Sequence, residues 1–182
     1  MNLLNAIEIR KSVRAYASRK VEEEKIEAVV RAGNLAPVFG KFHITVIENP
    51  ELLQDINGVT LEMMRHSGDE FLEKRAATEG YQPLYGAPVM LVLSAPGGND
   101  SMGFHMANVS CAAENMIIQA AHLGLGTCFV MGPMIAFSKE SLAEKIKLPE
   151  GYLPLVGVLA GYPRDAFTGS TRKSPENITY LR

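Results

Sequence analysis

A chain of 182 residues with 47% hydrophobic and 21% charged residues has the composition of a folded domain with a substantial core, which excludes intrinsic disorder. The net charge of −2 gives no global attraction to nucleic acid. Its distribution is uneven: residues 1–20 carry +4 and residues 161–182 carry +2, so the stretch between them carries −8. Two cysteines (Cys111, Cys128) and four scattered histidines fit neither a disulfide framework nor a zinc site. The N-terminus lacks the apolar core of a signal peptide, and no run approaches the roughly 18 apolar residues of a membrane span. The expectation is a soluble, cytoplasmic protein with no nucleic-acid or membrane partner.

Leu3, Leu4 and Ile7 stand at helical spacing and give a short first helix over residues 2–9. It stops at Arg10-Lys11-Ser12-Val13-Arg14, three cations and a hydroxyl within five residues. Arginine offers forked donors, lysine a point charge and serine a short hydrogen bond, a set that suits phosphate. Alone, such a run also reads as a solvated face. Two basic ends on an acidic body fit termini that meet at one anion.

Val21-Glu22-Glu23-Glu24 opens a second helix whose acids suit the positive end of its dipole, with Pro37 marking the end. Phe42–Ile47 is β-rich and reads as the first strand. Asn49-Pro50-Glu51 is a capped helix start, and residues 51–79 read as helix broken at Gly58 and Gly68. Asp69, Glu70, Glu73, Lys74 and Arg75 read as solvent-facing, and a segment of this kind can cover a pocket. Val89–Leu93 is a continuous apolar run, the pattern of a strand covered on both faces. The longest helix is expected from about His105 to Leu123, apolar on most sides, so that Glu114 requires a partner. Thr127–Met131 reads as a short buried strand. Ser138 is placed to cap a helix through Lys147, and Leu155–Ala160 reads as a fourth strand. Together these predict an α+β fold of mixed layers, helices around a sheet of four or five strands, in a single domain spanning residues 1–182.

Among known catalytic signatures, Gly-x-Ser-x-Gly, His-Glu-x-x-His and the Walker loop are all absent. Gly124-Leu125-Gly126 follows a helix instead of a strand and lacks a third glycine, so it is no dinucleotide fingerprint. Anion sites at both ends, glycine-rich turns and much apolar surface suit a phosphate-bearing aromatic cofactor better than a nucleophile carried by the chain.

The order of motifs resembles the nitroreductase family of FMN-dependent enzymes. Arg10-Lys11-Ser12-Val13-Arg14 followed by Tyr16 resembles its opening, and Ala36-Pro37 its second helix end. Gly86-Ala87-Pro88 before a buried strand, Glu114-Asn115-Met116 on a long helix ending in Gly124-Leu125-Gly126-Thr127-Cys128, and Gly161-Tyr162-Pro163 with a basic tail complete the series. The resemblance implies a nitroreductase-like fold, an obligate homodimer and two FMN sites at the interface. It implies that Arg10, Lys11, Ser12 and Arg14 hold the FMN phosphate, ribityl chain and a flavin edge, with Arg172 and Lys173 closing on the same phosphate. Pro37 and Val38 would come from the partner subunit. Val130, Met131 and Gly132 would lie at the flavin face, and Gln82 near the pyrimidine edge. The implied activity is NAD(P)H-dependent reduction of a small aromatic, nitro or quinone-like acceptor by ping-pong hydride transfer, with no catalytic side chain. A dehalogenase or flavin-fragmenting enzyme of the same fold, or a non-catalytic FMN-binding protein, are the alternatives. The chain departs from the family after Ala36-Pro37, where Val38-Phe39-Gly40-Lys41-Phe42-His43 replaces the usual polar residues, with Lys41 as a candidate substitute.

Overall fold

The structure is a computed structural model, and it describes residues 2–98, 101–165 and 178–182. In chain order the elements are α1 (Leu3–Ile9), α2 (Glu23–Asn34), β1 (His43–Ile47), α3 (Pro50–Arg65), α4 (Glu70–Ala76), β2 (Val89–Pro96), α5 (Met102–His122), β3 (Gly126–Val130), α6 (Glu140–Ala143) and β4 (Tyr152–Gly161). Short 3₁₀ helices, Gly132–Ser138 and Glu144–Ile146, flank α6. The four strands form one sheet in the order β1-β2-β4-β3, every neighbouring pair antiparallel.

Strand β2 sits inside the sheet and sorts its side chains by parity, as the pleat requires. Val89, Leu91, Leu93 and Ala95 pack with α2 and α5, whereas Met90 and Val92 face Leu53 and Ile56 of α3 and Phe137 beyond β3. The sheet is therefore the middle of three layers. This is why the continuous apolar run is a strand buried on both faces. Helix α5 approaches α2 closely because Gly33 has no side chain: a Cβ there would stand 2.8 Å from the Met116 side chain.

Several sequence expectations are corrected. Helix α3 runs unbroken through Gly58, because burial of Leu53, Ile56 and Met64 outweighs the roughly 1 kcal/mol that one glycine costs a helix. The break does fall at Gly68, where φ is +72°. Ser138 caps no helix: its Oγ donates to the Ile135 carbonyl at 2.8 Å, and α6 ends after one turn. Strand β4 starts at Tyr152, ahead of Pro154, because a register shift at Leu93/Ser94 makes room for a residue that cannot donate. Strand β3 is buried only to Cys128, and Phe129 is exposed. Glu114 faces outward from α5 and needs no buried partner.

Candidate functional site

The basic cluster becomes extended on leaving α1 and is laid along the outer edge of β3. Ser12 forms a parallel bridge with Thr127, and the Val13 amide donates to the Thr127 carbonyl at 2.8 Å. Val13 points inward, 5% exposed, into space that exists because residue 126 is glycine: a Cβ there would lie 2.7 Å from Val13 Cγ2. Side chains alternate along an extended chain, so Ser12 and Arg14 point outward, and both are exposed. Among the described residues, neither Arg10 nor Arg14 is ion-paired to a carboxylate.

Downstream, Tyr16 bridges Pro163, the Ala17 amide donates to the Tyr162 carbonyl at 2.9 Å, and the Arg164 amide donates to Ala15 at 3.0 Å. The exit of β4 thus runs beside the basic cluster. Arg172 and Lys173 lie outside the described residues.

The Thr127 carbonyl faces Val13, so by the alternation of a strand the Phe129 amide and carbonyl also point away from β4. Among the described residues, the Ser12 bridge is the only strand pairing on that edge. Beyond it Val130, Met131 and Gly132 turn into the 3₁₀ helix, with Met131 53% exposed. The result is an edge of backbone donors and acceptors beside a row of cations. Such an edge can hold a flat heterocycle whose phosphate reaches Arg10, Ser12 and Arg14.

Two neighbours beneath this edge are inert acids. Burial, chiefly, pushes the Cys128 thiol and the Tyr16 phenol above their ordinary values, while the Arg14 charge opposes the shift. The Tyr16 hydroxyl donates to the Val13 carbonyl at 3.0 Å and so helps fix the cluster. Cys128 packs as a small buried group, not a thiolate.

Alongside the turn lies a cavity of about 460 Å³ between α3, α4 and the 3₁₀ helix, with Phe71, Arg75, Tyr81, Tyr85, Met131 and Ile135 among its lining. Arg75, expected in solvent, is half-buried, and its Nη2 donates to the Tyr85 hydroxyl at 2.8 Å. The sequence reading missed this group. Its one signal was the pair of tyrosines that flank Pro83 just before the Gly86 turn. Tyr85 has a φ of +52°, an uncommon conformation for a bulky residue, and its ring lies 5.9 Å from the Arg14 guanidinium.

The remaining candidates lie elsewhere in the chain. Gln82 is exposed and lines a separate cavity of about 970 Å³ together with Arg19, Glu48 and Asn57. Pro37 and Val38 belong to a turn pinned to α5 by a reciprocal pair of hydrogen bonds between Asn108 and the Phe39 backbone. The basic cluster instead pairs with Thr127, five residues past the end of α5 at His122, and Asn108 and His122 stand about 20 Å apart along the helix axis at roughly 1.5 Å per residue. A single chain therefore does not bring them together. Leu3, Leu4 and Ile7 of α1, Leu35 at the α2 end, and the Phe39 and Phe104 rings, which meet edge to face at 5.7 Å, are exposed apolar side chains.

The model of the nitroreductase family matches residues 7–162. The chain belongs to the nitroreductase family. A solved nitroreductase with bound FMN from Desulfitobacterium hafniense superposes with a TM-score of 0.90 at 23% identity, covering all of both chains. At that identity the likeness establishes the shared nitroreductase fold. A protein of Archaeoglobus fulgidus provisionally named NADH dehydrogenase/NAD(P)H nitroreductase is 26% identical over 183 residues, covering 96% of this chain and 95% of its own. An FMN reductase (NADPH) of Bacillus subtilis is 22% identical over 191 residues, covering 98% of this chain and 72% of its own. Among the described residues, this nitroreductase-family chain has no helix long and apolar enough to cross a membrane, and no cluster of metal ligands.

Proposed function

We propose that the protein is an FMN-dependent oxidoreductase that uses NAD(P)H to reduce a small aromatic, nitro or quinone-like acceptor. In this reading residues 1–182 form one FMN-binding domain, and the protein works in the cytoplasm as a homodimer. The observation that carries it is the basic segment held against the open edge of β3 by the Val13–Thr127 hydrogen bond, in a chain of the nitroreductase family. Bound FMN would supply the hydride chemistry, exchanging reducing equivalents with the nicotinamide and the acceptor in alternate half-reactions.

The chain's own residues bind and orient. Arg10, Lys11, Ser12 and Arg14 would hold the phosphate and ribityl chain, joined by Arg172 and Lys173 from the tail. The turn at Val130, Met131 and Gly132 would offer its backbone to the ring. Pro37 and Val38 would complete the site from the partner subunit. The distance between them and the basic cluster within one chain supports that assignment, as do the exposed apolar side chains of α1, the α2 end and α5. A second copy would remove those side chains from water.

An absorbance spectrum of purified protein, followed by anaerobic addition of NADH or NADPH, tests this reading. A flavin spectrum that bleaches is expected; a colourless protein, or a flavin that neither nucleotide bleaches, refutes it.

A further inference from the structure

We propose that the 460 Å³ cavity beside β3 selects acceptors that are aromatic and carry an acidic group, with Arg75 as the specificity-determining residue. The inference rests on the oxidoreductase reading and names the class of substrate for the same site.

The cavity's lining is aromatic and apolar, with Phe71, Met131 and Ile135 exposed at 68%, 53% and 44%. Exposed apolar side chains converging on a cavity match a flat organic ligand better than they match water. Among the described lining residues Arg75 is the one charged side chain, and no aspartate or glutamate lines the cavity. Its contacts are neutral phenols: the Tyr85 hydroxyl at 2.8 Å and the Tyr81 ring, whose centroid lies 4.8 Å from the guanidinium. No carboxylate among the described residues lies within ion-pair distance of it. A guanidinium has five donors, more than two phenols can use, and a carboxylate or phenolate in the cavity supplies a forked acceptor for the remainder.

Position adds to the argument. Tyr85 stands between Arg75 and Arg14, with one guanidinium on its hydroxyl and the other 5.9 Å from its ring centroid. Its left-handed backbone is held by a turn in which the Tyr85 amide donates to Gln82 and the Ala87 amide to Leu84, each at 2.9 Å. Backbone strain maintained by surrounding contacts is a mark of ligand sites. The cavity shares Val130, Met131 and Gly132 with the proposed flavin edge, so an acceptor seated on Arg75 has its other end toward that edge.

The test is calorimetric titration of the protein as purified with 4-nitrobenzoate and with its uncharged counterpart 4-nitrobenzamide. The acid should bind roughly 10- to 100-fold more tightly, the range expected for hydrogen bonds to a charged group. Arg75→Gln should reduce affinity for the acid by that factor while leaving the amide within about threefold. Arg75→Lys, which keeps the charge but not the fork, should retain part of the preference. Equal affinities of the wild-type protein for acid and amide overturn the proposal, whatever the variants do. So does a preference for the acid that survives in folded Arg75→Gln. Binding is read without turnover, so failure here is distinct from failure of NAD(P)H to bleach the flavin.

Discussion

Replacing Gly126 with alanine tests whether the β3 edge positions the basic cluster. The added methyl would stand 2.7 Å from Val13 Cγ2 and 3.0 Å from both Val13 Cβ and Cγ1. Carbon atoms rest about 3.5–4.0 Å apart, so Val13 must retreat by about 1 Å. Its β-branched side chain cannot swing clear, because Cβ itself is too close. The backbone must therefore move, and Ser12 and Arg14 with it. Overpacking of this size costs roughly 1–3 kcal/mol of stability. Losing one charged hydrogen bond to the phosphate lowers FMN affinity about 10- to 100-fold. Urea unfolding and FMN fluorescence titration measure the two effects. Val13→Ala removes two buried carbons at about 0.8 kcal/mol each, yet it also removes two of the three clashing atoms. The double variant should consequently be more stable, and bind FMN better, than the sum of the single effects implies. Strict additivity, or Gly126→Ala with unchanged urea midpoint and FMN affinity, refutes the argument.

Arg14→Ala should weaken FMN about 10- to 100-fold by removing one charged contact, read by the same titration. Phe104→Glu places a charge on the exposed α5 side chain that packs against Phe39, next to Pro37 and Val38; sedimentation should show a monomer that has lost FMN if Pro37 and Val38 act across the interface. A dimer unaffected by this change argues for a different interface. Glu22 accepts from the Tyr162 hydroxyl at 2.6 Å and from Arg19 at 2.7 Å, and these contacts, the tyrosine first, bring its carboxyl down to about 2. Because the folded value is the lower one, the stabilisation is complete above the ordinary carboxylate value near 4.5 and is lost as pH falls toward 2. Wild type and Glu22→Gln should accordingly differ in urea midpoint at pH 6 and converge near pH 2; a difference independent of pH contradicts this account.

Much of the fold was legible because the patterns were local. The apolar runs at Val89–Leu93 and Leu155–Ala160, of strand length and bounded by glycine and proline, read as buried strands, and Asn49-Pro50 announced the start of α3 through a cap whose side chain accepts from Leu52. Local reading failed where a weak element was held by neighbours. Gly58 is tolerated because α3 is packed, and Pro154 because β4 pairs across a bulge. Ser138 had the right chemistry for a cap but no regular helix to serve.

The same division runs through the site. Residue order alone determined the family, since the basic opening, the glycine turns and the helix ending in Thr127-Cys128 are recognisable as strings. It also marked Arg10, Lys11, Ser12 and Arg14 as a basic cluster and a candidate anion site, because charge density is a property of sequence. Which atoms those cations face was decided only in three dimensions. A 2.8 Å hydrogen bond from Val13 to a strand more than a hundred residues away sets the cluster on the β3 edge. Folding also joined Arg75 to Tyr81 and Tyr85 across a turn with a left-handed tyrosine, and it separated Pro37 and Val38 from the cluster along the length of α5. Pairing across long loops depends on which elements pack together, and that choice leaves no periodicity for the sequence to display.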